Sequence, residues 1–449
     1  MEEERHTNHN HNPEILQALE ALKRASKEVE VIATTSDDGG CSSPSMRALL
    51  ELETGSDDLF SGDPLLSPLR HLLSELRSLS SSFPSSPRNK SIGTSFLNSI
   101  FRRPKSPHHA MVSQVAGLIS AEIQSWIDRE TLHRLVSALL SQFSDEERAT
   151  LLLALETRAS EGFDRGFQDT LLKSGAFSVV ESVLADPGCA KVVRDRCAAL
   201  IYALVRFNKD VFVGPVLMGS TIDSLVTIAS PATLQALNGL IAAIKSPLID
   251  ELHSRGELQR LVSLLSSPDL EVQIRALEFA LAIGYFGRKE AVEAMLTQGL
   301  IKRLLCLQRS ELGGALIDMD SWDFPKENGR NSDHGIHVGR LLKPKQGKSK
   351  QLRFLEARPF ASAVARFAIQ VEVGEGLRQR EKRAIKQDIL KRVKEAATSP
   401  VEAANVLAEV LWGAKKGMTS ALPCLAVPPF YRIMWLLSWW GYWVIVIDS

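Results

Sequence analysis

Histidine and aspartate side chains occur in two polar stretches of this 449-residue chain, where they could bind a metal ion. One stretch holds His334 and His337 near four aspartates, namely Asp318, Asp320, Asp323 and Asp333. The other holds His9 and His11 among asparagines. Imidazole and carboxylate groups bind metals, but neither spacing fits a recognisable metal site. We therefore predict solvated segments and no metal.

Nucleophilic and phosphate-binding patterns are missing from the sequence as well. The five cysteines form no CxxC pair, and Cys189 and Cys197 flank a predicted helix start, where buried core thiols are expected. The chain has no GxxxxGK[ST] loop, no GxGxxG after a strand, no HExxH and no GxSxG. These observations predict a chain without a catalytic centre or cofactor.

The clearest element is a pair of helices within residues Gly256–Ile283, GELQRLVSLLSSPDLEVQIRALEFALAI. Gly256 interrupts the preceding segment, and leucines at helical spacing follow it. Ser266, Ser267, Pro268 and Asp269 end the first helix and supply a cap for the second. A pair this short cannot bury both of its apolar faces, so we expect similar units on either side.

Similar units do occur. A glycine, an apolar helix, a polar break and a second apolar helix begin at Gly175, Gly219, Gly256 and Gly299. The spacings are 44, 37 and 43 residues, and the Gly299 copy matches only in its front half. Periods near 40 residues are typical of α-solenoids built from two or three helices per repeat.

The motif G-x-L-x-x-L-V-x-L-L-x-S-x-D-x-x-V-x-x-x-A-L in residues 256–283 resembles an armadillo repeat. The resemblance points to the armadillo repeat superfamily, of a plant-like type, and covers roughly residues 111–312, resuming at 352–414. It implies an all-α, armadillo/HEAT-like, right-handed α-solenoid with an N-terminal helical segment. It also implies that Asp269 caps the last helix of its repeat.

The resemblance also suggests binding residues. Asn238 lies in the second helix of the Gly219 copy, where armadillo proteins often place an asparagine that binds the backbone of an extended peptide. Arg206 and Arg275 lie in the second helices of the neighbouring copies. We predict all three as partner contacts, although the asparagine is not repeated in the other copies and no copy has a groove tryptophan. An exposed or locally bonded Asn238 is the alternative.

The function that these observations imply is a non-catalytic scaffold that binds a protein partner along the last helices of its repeats. Two alternatives remain open from the resemblance: a substrate adaptor associated with ubiquitin ligation, and an armadillo-type chaperone regulator. A scaffold tethered to a membrane is a variant of the first interpretation. We expect a monomer.

Composition shifts along the chain predict six segments. A helical segment with a disordered start covers 1–77, and a Ser/Pro-rich linker covers 78–109. Armadillo-like repeats cover 110–312, a polar loop insertion 313–351, and helices closing the solenoid 352–416. An apolar, Trp-rich tail covers 417–449.

Charge and linker motifs bear on partners and location. Lys plus Arg and Asp plus Glu balance at 53 each, so no nucleic acid partner is expected. The N-terminus is polar and acidic, which predicts a cytoplasmic or nuclear protein. In the linker, Ser86-Pro87 and Ser106-Pro107 have the local form of proline-directed phosphorylation sites, with an unmodified spacer as the alternative.

The tail differs from everything before it, because Arg432 is the only charged residue between Gly417 and Ile447. The uncharged stretch 433–447 is shorter than the roughly 17–25 residues of a membrane-spanning helix. Three interpretations stay open: a membrane anchor through residues 430–447, a segment that packs on the end of the solenoid, and an end without a selected role.

Overall fold

A computed structural model describes residues 13–35, 43–55, 67–81, 107–141, 143–313, 355 and 357–416. All of the regular elements in these ranges are helices. The chain divides into two compact units. Unit 1 comprises residues 1–151 and 164–179, and unit 2 comprises residues 152–163 and 180–449.

Leucine, isoleucine and valine at helical spacing build the core of unit 1. Its helices are α1 (Pro13–Thr35), α2 (Pro44–Gly55), α3 (Ser67–Ser81) and α4 (Pro107–Leu140), followed by the beginning of α5 (Asp145–Ser160) and by α6 (Arg165–Ser174). The predicted leucine stripe of α3 is buried, with Leu69, Leu73 and Leu76 at most 1% exposed. They pack with residues of α1, α2 and α4 in one apolar cluster.

Helix α4 corrects the sequence prediction, which divided this region into two helices, Met111–Ile127 and Thr131–Phe143. The structure has one continuous helix of 34 residues. Between the two predicted helices lie Asp128, Arg129 and Glu130, and none of them is a glycine or proline that would end a helix. Asp128 is buried and accepts a hydrogen bond from Gln124 Nε2 at 2.6 Å, one turn earlier. The helix therefore satisfies its polar residue internally.

The repeats make up most of unit 2. After α7 (Ala176–Ala185), the helices are α8 (Lys191–Phe207), α9 (Lys209–Met218), α10 (Thr221–Ile228), α11 (Pro231–Ile244), α12 (Ser246–Ser254), α13 (Leu258–Ser263) with a 3-10 turn (Leu264–Ser266), α14 (Leu270–Phe286), α15 (Lys289–Thr297), α16 (Leu300–Arg309), α17 (Ala363–Val373), α18 (Gln379–Ala396) and α19 (Pro400–Lys416). This succession confirms the predicted all-α solenoid.

The second helices of the four copies contact one another in chain order. Helix α8 packs on α11, α11 on α14, and α14 on α17. We call these four helices the row. Their facing sides are apolar, so each copy buries its stripe against the next, as the sequence predicts.

Two of the repeat glycines serve different purposes. Gly256 has φ +74°, a left-handed conformation that turns the chain between α12 and α13 at little cost to a residue without Cβ. Gly219 instead has an extended backbone, and a methyl group there would collide with the Glu181 carboxylate and the Pro215 carbonyl. One glycine is needed for conformation and the other for space.

Capping residues define the helix starts. Asp269 accepts hydrogen bonds from the backbone N–H groups of Glu271 and Val272, which confirms the predicted cap of α14. Ser230 caps α11 by accepting from Thr233 N at 3.1 Å. Each cap satisfies backbone donors that a helix start leaves unpaired.

The Gly299 copy is complete in the structure, although its second half is missing from the expected place in the sequence. Helix α16 is its first helix, and α17, which begins more than fifty residues later, packs on α16 as its second. The backbone N–H of Phe360 donates to the Leu312 carbonyl at 3.3 Å. The chain therefore returns to the point at which it left the repeat.

Candidate partner-binding face

Polar groups connect the helices of the row across otherwise apolar contacts. The first connection joins α8 to α11, where the hydroxyl of Ser230 donates to Asp195 Oδ1 at 2.5 Å. Ser230 is only 3% exposed and also caps α11. A hydroxyl buried this deeply needs both partners, so this contact sets the register of α11 against α8.

The second connection joins α11 to α14 through Asn238. Its Nδ2 donates to the backbone carbonyl of Arg275 at 3.0 Å. Asn238 is 5% exposed, and its Oδ1 finds no hydrogen-bond partner among the described residues. The side chain thus lies between two helices, and its Oδ1 is buried without a hydrogen-bond donor among the described residues.

The third connection joins α14 to α17 by charge. Arg275 Nη1 lies 3.1 Å from Glu278 Oε2, and Glu278 in turn acts electrostatically on Arg366 of α17. Burial lowers the pKa of Arg366 to about 10, while Glu278 opposes that effect. Arg366 remains protonated at neutral pH and donates to the Pro359 carbonyl.

An aromatic side chain and a glycine allow α8 and α11 to approach closely. A methyl group at Gly239 would lie only 2.6 Å from Cε2 of Tyr202, so the tyrosine ring fills the space beside the glycine. Arg206 is exposed, and its Cζ lies 5.9 Å from the centre of the Tyr202 ring. Burial raises the pKa of Tyr202, which keeps its phenol protonated.

The structure places the three predicted contact residues on consecutive helices of the row. It brings Asn238 and Arg275 together, and it places Arg206 over Tyr202 instead. Arg275 is half-buried and is held by ion pairs to Glu278 and Glu271. Whether these residues bind a partner stays a prediction. Ser86 and Ser106, the predicted modification sites, lie outside the described residues.

Sequence reasoning missed a second group at the C-terminal ends of three row helices. Lys245 Nζ lies 3.0 Å from Glu375 Oε2 and 5.5 Å from the ring centre of Phe286. Tyr285 OH donates to Glu375 Oε1 at 3.4 Å. Lys245 has φ +68°, a strained conformation for a residue with a side chain. Residues from α11, α14 and the segment after α17 meet here, and sequence spacing gave no sign of it.

The last connection joins α16 and the start of α17 to α19. Gln308 Nε2 donates to Glu409 Oε2 at 3.2 Å, and Ser362 lies beside the same carboxyl group. Glu409 is 8% exposed, and burial raises its pKa, opposed by hydrogen bonding to Gln308 and Ser362. The sequence pattern could have suggested this burial only through the apolar neighbours Val406 and Val410.

Other features do not point to catalysis. A surface cavity of about 460 Å³ lies between α1 and α4 in unit 1, and its lining combines small and apolar residues with polar ones that include Glu30 and His109. In the described ranges, no group of three or more His, Cys, Asp or Glu side chains is arranged to hold a metal ion. Cys197 is buried, and burial raises the pKa of its thiol.

The histidine-containing stretches at 9–11 and 318–337, which we predict to be solvated, and the C-terminal tail all lie outside the described residues. Across the helices that the structure does describe, no single one is long and apolar enough to cross a membrane.

Comparison with known proteins finds only solved structures of low sequence identity to this chain. No protein-family profile matches the chain, and no curated protein matches it. Among solved structures, a designed armadillo repeat protein is 18% identical with a TM-score of 0.38, covering 62% of this chain and 99% of that one. Another designed armadillo repeat protein, in complex with the peptide (KR)4, is 17% identical with a TM-score of 0.38, covering 63% and 99%.

An engineered protein covers 90% of this chain and 99% of its own, at 14% identity and a TM-score of 0.38. These values are too low to transfer a ligand or a partner to this chain.

Proposed function

We propose that this chain is a non-catalytic interaction scaffold whose row, α8, α11, α14 and α17, binds a segment of a protein partner. The observation that carries the proposal is the unbroken contact of the four helices in chain order. Side chains on the row that remain at least partly exposed form an extended binding surface, as is typical of repeat proteins.

The chemistry of this surface supports protein binding. Tyr202 and Arg206 belong to the residue types that contribute most to protein interfaces. Gln235 on α11 is exposed and offers both a donor and an acceptor to a peptide backbone. Ala242 and Ala282 are half-buried and small, which leaves room for a bound chain near the helix backbones.

Asn238 would act indirectly in this scheme. Its amide is engaged with the Arg275 carbonyl, so it holds α11 against α14 and fixes where Gln235 and Arg275 are presented. We propose that it positions the surface and that Arg206 contacts the partner directly.

A matched pair of charge reversals tests the proposal. Arg206 and Lys209 are both exposed and lie three residues apart, but Arg206 is on the row and Lys209 begins α9. Affinity capture with the full chain should recover a partner set that Arg206→Glu depletes at least about tenfold, equivalent to 1.4 kcal/mol, and Lys209→Glu retains. A partner set that is unchanged by Arg206→Glu and by Tyr202→Ala would contradict binding at the row.

We further propose that the protein works as a monomer in the cytosol or nucleus and that it is of the plant-like armadillo type. Roles as a ubiquitin-ligation adaptor or a chaperone regulator stay predictions; the captured partners would distinguish them. Fractionation of the full chain tests location, because recovery in the membrane fraction would favour attachment through residues 430–447.

A further inference from the structure

The outward side of α19 is apolar and exposed. Val401 is 69% exposed and Leu411 is 43% exposed, and between them Ala404, Asn405 and Ala408 are also exposed. Their spacing of three or four residues places them on one side of the helix. We call these five residues the end face. None of them carries a charge.

The opposite side of α19 packs into the solenoid. Val406, Glu409 and Val410 are buried, and the helix contacts α17 and α18. Helix α19 thus follows α17 as the next member of the row's succession. Each earlier row helix is covered by its successor, whereas the end face has no successor among the described residues.

Solenoids normally end in a repeat with a polar outer side, because an uncovered apolar end invites association. The exposed side of a helix in a soluble solenoid usually carries charged residues. Helix α18 shows this, since Arg380, Arg383, Lys391 and Lys394 are all exposed. The end face carries no charge, so we expect another apolar segment to cover it.

The chain supplies a cover of matching chemistry directly after α19. Residues 417–449 hold one basic residue up to Ile447 and four of the seven tryptophans, Trp435, Trp439, Trp440 and Trp443. These 33 residues extend to about 110–120 Å at most, against about 25 Å for α19, so they are long enough to reach along it. A covalently attached segment also has a high effective concentration at its own helix.

We infer that residues 430–447 pack against the end face and close the solenoid. The inference is independent of the partner bound by the row. Apolar burial drives the contact, and the tryptophans contribute most of the area that is removed from water.

Hydroxyl-radical footprinting of the full chain tests this contact, because the oxidation rate of each tail tryptophan reports its exposure to water. In the intact chain the four tryptophans should oxidise slowly. Ala408→Glu places a charge in the middle of the end face and should raise their oxidation rates several-fold. Ala384→Glu is the matched control, since Ala384 is exposed on the neighbouring helix α18, and it should leave the rates unchanged.

Ala404→Glu provides a second disruption of the end face and should act in the same direction as Ala408→Glu. Three results would overturn the inference. The first is oxidation that neither variant changes. The second is protection that grows with protein concentration, which would assign the end face to a second copy of the chain. The third is protection that appears only with phosphatidylcholine vesicles, which would assign the tail to a membrane.

Discussion

The ring of Tyr202 occupies the space beside Gly239 that any larger residue there would need. This relationship joins α8 to α11, the first two helices of the row. It explains why the second helix of the Gly219 copy tolerates a glycine in its interior, where glycine otherwise weakens a helix by about 1 kcal/mol. The glycine is required by the neighbouring helix.

Gly239→Ala should therefore destabilise the protein by about 1–3 kcal/mol, because the tyrosine ring or the helix must move to accept the methyl group. Urea unfolding measures the change. Gly214→Ala is the control, since Gly214 lies inside α9 and a methyl group there would meet no atom within 4 Å apart from its chain neighbours, one of which is Pro215. The gain in helix propensity and the restriction before a proline oppose each other there, so the change in stability should be smaller than about 1 kcal/mol. Equal effects at the two positions would contradict the packing of Tyr202 on Gly239.

Asn238→Ala should destabilise by about 1–2 kcal/mol, because the Arg275 carbonyl loses its donor at a buried site. Asn238→Asp should be worse, since it places an acceptor opposite that carbonyl. Urea unfolding tests both variants. If Asn238→Ala left stability unchanged but abolished partner capture, Asn238 would be a direct ligand and its positioning role would be wrong.

The backbone conformation of Lys245 predicts which of two substitutions there gives the more stable protein. Its φ of +68° suits glycine, so Lys245→Ala keeps the strain and loses the contacts with Glu375 and Phe286. Lys245→Gly loses the contacts but also the strain, and should be more stable than the alanine variant by about 1 kcal/mol. At Lys302, exposed within α16, the order should reverse, because alanine favours a regular helix. Thermal unfolding of the four variants decides.

Glu409 predicts a pH dependence. Burial raises its pKa in the folded protein above the ordinary value of 4.5. Folding therefore favours the protonated carboxyl, and this contribution is present below pH 4.5 and is lost as pH rises through the folded pKa. The protein should lose stability relative to Glu409→Gln as pH rises from 4 to 8. Urea midpoints across that range check it, and parallel curves would contradict the raised pKa.

Glu402, on the same helix, should behave in the opposite way. The hydrogen bond from Arg309, with help from Thr398, lowers the pKa of Glu402 to about 2, against the opposing effect of burial. Folding favours the ionised carboxylate, so its contribution is present above pH 4.5 and is lost as pH falls from 4.5 towards 2. Glu402→Gln should remove this part of the acid sensitivity. An unchanged acid midpoint would contradict the ion pair.

The repeats could be predicted because residues within each repeat mark where its helices begin and end. Gly256 and Asp269 mark a turn and a cap that depend on neighbours in sequence, and the structure has both. Helix α4 could not be predicted as one helix, since Asp128 is polar and its burial depends on packing in unit 1. Turns and caps depend on residues that are close in sequence, so they can be predicted from it. Burial by elements that are distant in sequence cannot.

The row's connections show the same limit. Asn238 was identified from its position in the repeat, but its partner is a backbone carbonyl, which every residue carries and which no pattern can single out. Lys245 and Glu375 meet across 130 residues of sequence. Nothing in the sequence marks Glu409 as buried, because its burial depends on the packing of α19 on α17.

The hydrogen bond from Phe360 to Leu312 also has a practical meaning. The fourth repeat is interrupted in sequence but whole in space, because its two edges meet at this hydrogen bond. Such a junction is a natural acceptor for domain insertion, and it is where the protein could be expressed as two fragments that reassemble. Residues can be inserted at this junction without changing the order of the helices in the solenoid.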